Sequence, residues 1–147
     1  MTRVDPALER LLPHRPPMVF VDGVERADAD RCVARWTVPD GSPWVEDGRL
    51  LRAAFVEIAA QAAALHAGLA AAGSGAPARR GYLGVVSGFR VHGDAHPGDS
   101  LRAVVHRSLS LGLLSRFDCR VERVAGGESA LLADGALTVA LAGPSDG

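Results

Sequence analysis

The chain has no lysine, no asparagine and a single glutamine, Gln61. Its 16 basic residues are therefore all arginines, set against 17 acids for a net charge of −1. That balance gives no overall field for nucleic acid or for an anionic membrane. Cysteine is scarce as well. Cys32 and Cys119 stand far apart, which excludes a disulfide framework or a cysteine-rich metal site and leaves two small hydrophobes for the core. No pair of histidines has zinc-ligand spacing, and neither a metal nor a cofactor is expected. The charged start Met1-Thr2-Arg3-Val4-Asp5 has no apolar signal core behind it, which points to the cytoplasm. The longest apolar run, Ala53 to Ala72, is interrupted by Glu57, Gln61 and His66, so it is not read as a membrane span.

What is present fits one domain. With 147 residues, 48% of them apolar and 22% charged, residues 1–147 can bury a sizeable core without dividing. Pro6 to Leu12 predicts a short helix with Asp5 as its cap, stopped by Pro13-His14-Arg15-Pro16-Pro17. Met18 to Val24 and Arg31 to Val38 read as strands joined by a polar turn at Ala27 to Asp30, the second with a period-2 alternation. Pro39 to Gly48 is loop. A long helix follows over Leu51 to Ala72, with Gly73 at its C′ position. Four strands complete the order: Gly81 to His92, Ser100 to Ser108, Leu111 to Val124 and Ser129 to Leu141.

The long helix holds the chemistry. Residues four apart share a helix face, so Glu57 and Gln61 sit one above the other. Ala54, Glu57, Gln61, Ala64 and Gly68 form a stripe of small side chains suited to close approach. A carboxylate inside so apolar a helix costs free energy unless it is paired, neutralised or used. The alternative is an ordinary exposed helix glutamate, and Gln61 is equally readable as a satisfied buried amide. A helix apolar on nearly all sides needs cover on all sides, and a single curved sheet covers only part of it. The predicted fold is therefore α+β, an antiparallel sheet wrapped around one central helix in the hotdog arrangement, completed by a second subunit.

Three blocks in order resemble one family. Leu11-Leu12-Pro13-His14-Arg15-Pro16-Pro17-Met18-Val19-Phe20-Val21-Asp22-Gly23-Val24 looks like the opening of 3-hydroxyacyl-(acyl carrier protein) dehydratases of the FabZ type. Glu57-Ile58-Ala59-Ala60-Gln61-Ala62 looks like their helix motif. Gly81-Tyr82-Leu83-Gly84 and Pro97-Gly98-Asp99-Ser100-Leu101 resemble their next strand and turn. In detail the chain is closer to the divergent dehydratase-like proteins of aryl polyene clusters, with their Leu-Pro-His opening and Ala-Gln helix. The departures are local. The family histidine, fourteen residues before the glutamate, corresponds to Pro43 in Gly41-Ser42-Pro43-Trp44, and the Met-Pro-Gly helix opening corresponds to Leu50-Leu51-Arg52.

The resemblance implies dehydration of a 3-hydroxyacyl thioester in fatty-acid, polyketide or polyene synthesis, carried by acyl carrier protein or coenzyme A. Glu57 is then the catalytic acid, and His14 is the candidate for the missing base, against a role in fixing its loop. Gln61, Tyr82, Leu83 and Gly84 would line the substrate, with Arg79 and Arg80 at the mouth for an acidic carrier. The expected assembly is a homodimer or higher hotdog oligomer, with a homologous subunit as another possible partner. Two other functions compete: a non-catalytic hotdog subunit that binds carrier protein or pairs with an active dehydratase, and an acyl-thioesterase.

Overall fold

The computed structural model describes residues 8, 10–12, 15–73, 75 and 81–141, with the backbone alone at 72, 81, 82 and 141. Eight strands and one long helix follow in the order β1 (Gly23–Ala27), β2 (Arg31–Thr37), β3 (Val45–Glu46), β4 (Arg49–Leu50), α1 (Arg52–Gly73), β5 (Gly81–Val91), β6 (Ser100–Leu111), β7 (Leu114–Ala125) and β8 (Glu128–Leu141). Six strands form one sheet in the order β1-β2-β6-β7-β8-β5, every neighbouring pair antiparallel. β3 and β4 form a separate two-stranded ribbon.

Alternation decides which face is covered. Cys32, Ala34 and Trp36 of β2, Leu101, Ala103 and Val105 of β6, and Phe117, Cys119 and Val121 of β7 are buried. The residues between them are exposed or half-buried, as expected of a sheet with one covered face. The buried set packs with Phe55, Ile58, Ala59, Ala62 and Leu65 of α1 in one core. By length and hydropathy α1 could cross a membrane, but half of it is buried inside the fold. It is the core helix the sheet wraps.

Several boundaries differ from expectation, each for a local reason. Met18 to Asp22 is no strand, because Gln61 on α1 takes both the Phe20 N–H and the Met18 carbonyl; sheet pairing begins only at Gly23. Residues 39–48 are not loop throughout. Asp47 and Gly48 have φ of 53° and 75°, the positive pair that a tight two-residue hairpin turn requires, and they close β3 on β4. α1 runs through Gly73, and the left-handed residue beyond it is Gly75, at φ 73°. Leu111 ends β6 rather than opening β7. Of the expected first helix, the described residues show one turn, with the Leu11 and Leu12 N–H groups both donating to the Leu8 carbonyl; Pro6, Ala7 and Glu9 lie outside the described residues.

One close approach fixes the register of the last strand pair. β5 bulges between Ser87 and Arg90, which brings the Phe89 backbone over Gly135. A Cβ at Gly135 would stand 2.6 Å from the Phe89 Cα. Gly135→Ala should therefore cost about 1–3 kcal/mol as an overpacked contact, read as a lower urea midpoint at unchanged slope.

Candidate functional site

α1 is not covered evenly. Ala54, Phe55, Ile58, Ala59, Gln61, Ala62, Ala63, Leu65 and His66 are buried, while Val56, Glu57, Ala60, Ala64 and Ala67 are only half-buried. The half-buried set follows 3.6-residue spacing, so it is one open stripe along the helix. The stripe expected from the sequence joined Glu57 to Ala54 and Gln61. The structure separates them: Glu57 lies on the open side and Gln61 on the buried side.

Gln61 is fully buried and fully paired. Its Oε1 accepts from the Phe20 N–H at 2.8 Å, and its Nε2 donates to the Met18 carbonyl at 2.7 Å. The amide clasps the opening segment to the helix. Farther along, Leu11 packs within 3.4 Å of where a Gly68 side chain would begin, so this segment runs beside α1. These bonds explain why an amide, with one donor and one acceptor end, stands in a greasy helix. Glu57 makes no hydrogen bond or ion pair among the described residues.

The start of α1 shows what replaces the family histidine. Pro43 is exposed, and Trp44 beside it is held on three sides. The Trp44 carbonyl accepts from the Leu51 N–H at 2.8 Å, and its indole donates to the Pro17 carbonyl at 3.3 Å. Its ring meets Phe20 edge-on at 5.3 Å, a favoured aromatic geometry. Aromatic packing therefore organises the helix entrance here. Pro43 also borders a cleft of about 540 Å³ with Pro16, Pro17, Asp22 and Asp40. Asp22, which sequence reasoning missed, accepts from the Thr37 N–H at 2.7 Å. Burial pushes its carboxyl above the ordinary value, against the pull of that bond and of Arg35.

None of the described histidines bonds Glu57. His66 is buried on the opposite side of α1 from Glu57, its Nε2 at 3.1 and 3.0 Å from the Asp28 and Ala29 carbonyls. His92 bonds Asp134 at 2.8 Å, His96 lies 3.6 Å from Asp99, and His106 is exposed opposite Asp118. His14, Arg79 and Arg80 lie outside the described residues. Tyr82 is placed in β5 opposite Ala140 by its backbone. Leu83 is opposite Val139, and Gly84 occupies the bulge before Val85. Leu83 and Val86 register with buried Val139 and Leu137, which puts them on the α1 side of the sheet. They are nevertheless 40% and 44% exposed, because β5 is an edge strand of the sheet and no described strand pairs with its outer side.

The pattern of the ApeP-like family, described as ApeP dehydratase, matches residues 6–144. The chain belongs to the ApeP-like dehydratase family. No curated protein matches it. Among solved structures it is similar to the dehydratase heterocomplex ApeI:P from Xenorhabdus doucetiae, with a TM-score of 0.83, 22% identity and coverage of 92% of this chain and 91% of that one. A hypothetical thioesterase from Streptococcus pneumoniae TIGR4, solved with coenzyme A, follows at a TM-score of 0.65 and 13% identity, covering 82% and 84%. An acyl-CoA hydrolase from Staphylococcus aureus gives 0.56 and 17%, covering 76% and 65%. At these identities the likeness is one of fold, and the fold is the hotdog. ApeP-like membership agrees with the resemblance carried by the Leu-Pro-His opening and the Ala-Gln helix.

Two outcomes follow for the buried groups of this family member. Gln61→Leu removes both ends of the clasp and strands the Phe20 N–H and Met18 carbonyl, which should cost about 2–4 kcal/mol, whereas Glu57→Gln should move stability by less than about 0.5; thermal melts compare them. Burial raises the Cys32 thiol to about 11 and, with the Asp118 charge, the Cys119 thiol to about 12. At pH 8 about one thiol in a thousand or fewer is thiolate, so iodoacetamide should label neither in the folded protein and both in urea.

Proposed function

We propose that the chain is the carboxylate-bearing half of a 3-hydroxyacyl-thioester dehydratase, completed by a second hotdog subunit laid along β5. One observation carries the reading. Glu57 lies on the stripe of α1 that the chain's own sheet leaves open, with no hydrogen-bonding partner among the described residues, on the same side of the sheet as the uncovered Leu83 and Val86 of edge strand β5. An unpaired apolar edge is a template for another strand. A strand added there extends the sheet and brings a second helix over Leu83, Val86 and Glu57. The ApeI:P likeness favours a homologous subunit over a second copy of this chain in that place.

The chemistry requires two groups. A base takes the proton from C2, beside the thioester carbonyl; the electron pair forms the C2–C3 double bond, and the 3-hydroxyl leaves as water with a proton from the acid. Glu57 is the acid. The base comes from the paired subunit, since no described histidine of this chain bonds Glu57. The N-terminal end of α1, whose first turn holds no acidic residue, polarises the thioester carbonyl and stabilises its developing negative charge. Tyr82, Leu83 and Gly84 stand along the β5 side of the acyl chain, and Gln61 acts by fixing the Met18–Phe20 segment against the helix. The thioester is carried by acyl carrier protein or coenzyme A, in the cytoplasm, with Arg79 and Arg80 as the contacts to an acidic carrier. No metal or cofactor enters the step.

The missing histidine also favours a second reading, in which the chain supports an active partner without doing chemistry. Product analysis on a 3-hydroxyacyl-carrier substrate separates the two. For the chain co-expressed with a homologous hotdog subunit, formation of the 2-enoyl product should fall at least about 100-fold in Glu57→Gln, while His14→Ala should retain it. Undiminished product in Glu57→Gln means a supporting subunit. Loss with His14→Ala moves the base to this chain, and release of free acid means a thioesterase.

A further inference from the structure

The outward face of the six-stranded sheet takes no part in that reading, and it has a pattern of its own. Along β7, Phe117, Cys119 and Val121 are buried, while Arg116, Asp118 and Arg120 are exposed and Glu122 half-buried. These four alternate with the core residues and so point away from α1. Their signs run plus, minus, plus, minus. Turned end for end about Cys119, the row opposes itself at every position: Arg116 meets Glu122, and Asp118 meets Arg120.

The flanking strands leave room beside this row. At the midpoint the face is low, with Gly135 and Ala136 on β8 and Val104 on β6 beside the charged row. A hollow of about 420 Å³ lies there, bounded by Val104, His106, Asp118, Arg120, Asp134 and Gly135. At one end of the face, a bulge between Arg107 and Leu109 brings Leu109 opposite Arg116, on the outward side. Leu109, Leu111 and Leu114 are 58%, 69% and 48% exposed there. At the other end Leu131 stands opposite Glu122 and is 43% exposed. Reversal about Cys119 keeps β6 over β6 and β8 over β8, which sets Leu109 toward Arg102 and Leu131 toward Thr138.

We infer that this outward face binds a second copy of the chain, β7 antiparallel over β7 about a twofold axis at Cys119. A twofold contact joins one patch to itself, and a row complementary to its own reversal fits that demand without a second protein. Facing sheets stack about 10 Å apart with strands nearly aligned, a gap that arginine and carboxylate side chains bridge. Arg120 Nε lies 3.6 Å from Glu122 Oε1 within the chain; in the pair it is shared with the partner copy's Asp118. The face is separate from the β5 edge, so both contacts can form in one particle. The inference does not rest on the dehydratase reading.

Sedimentation of the full chain, with any subunit that co-purifies, tests it. Asp118→Arg alone sets cation against cation at each of two symmetric contacts, and Arg120→Asp alone sets anion against anion. Each variant should halve the number of copies of this chain per particle at unchanged melting temperature. Mixing the two variants should restore the wild-type particle, since 118 of each then faces an opposite charge at 120 of the other. A wild-type particle with a single copy, variants of wild-type size, or a mixture that stays halved overturns the inference. None of these outcomes bears on enoyl formation, because 118 and 120 face away from α1.

Discussion

A helix as apolar as α1 has to be covered, and this chain covers it from two directions. The curved sheet takes one side, where Phe55, Ile58, Ala59 and Leu65 meet the inward residues of β2, β6 and β7. The opening segment takes another, held by the Gln61 amide on the backbone of Met18 and Phe20. What neither covers is the Val56-Glu57-Ala60-Ala64-Ala67 stripe. The place where the chain runs out of cover is also the place where it keeps its carboxylate.

The clasp has consequences beyond stability. Fixing Phe20 also fixes the edge on which Trp36 and Trp44 pack, at 5.1 and 5.3 Å. Trp44 in turn receives the Leu51 N–H as α1 begins. One buried amide thus links the opening segment, the helix entrance and the helix interior. Aromatic packing occupies the entrance to the helix.

Legibility followed the range of the interactions. Period-2 alternation in β2 and the long apolar run of α1 are local, and both elements were placed to within a residue or two. The Asp47-Gly48 turn signal was visible, yet the ribbon it closes is only two residues per strand and carries almost no pattern. Met18 to Val24 looked like a strand because its residues are β-formers. A side chain 41 residues away took its hydrogen bonds instead. Composition singles out Glu57 and Gln61, but spacing by four does not say which of them the sheet will cover.

The sequence by itself determined a central helix with one carboxylate and one amide, antiparallel strands to wrap it, and the motifs that identify its family. These depend on side-chain periodicity and residue identity, which act over a few residues. The tertiary structure decided that Gln61 is spent on the chain's own backbone while Glu57 is left open, and that β5 ends the sheet. It also decided that the β6 bulge turns Leu109 and Leu111 outward. Each of these depends on which distant backbone groups compete for a hydrogen bond and on where the chain's own atoms cease to cover a surface, and only the folded arrangement fixes either.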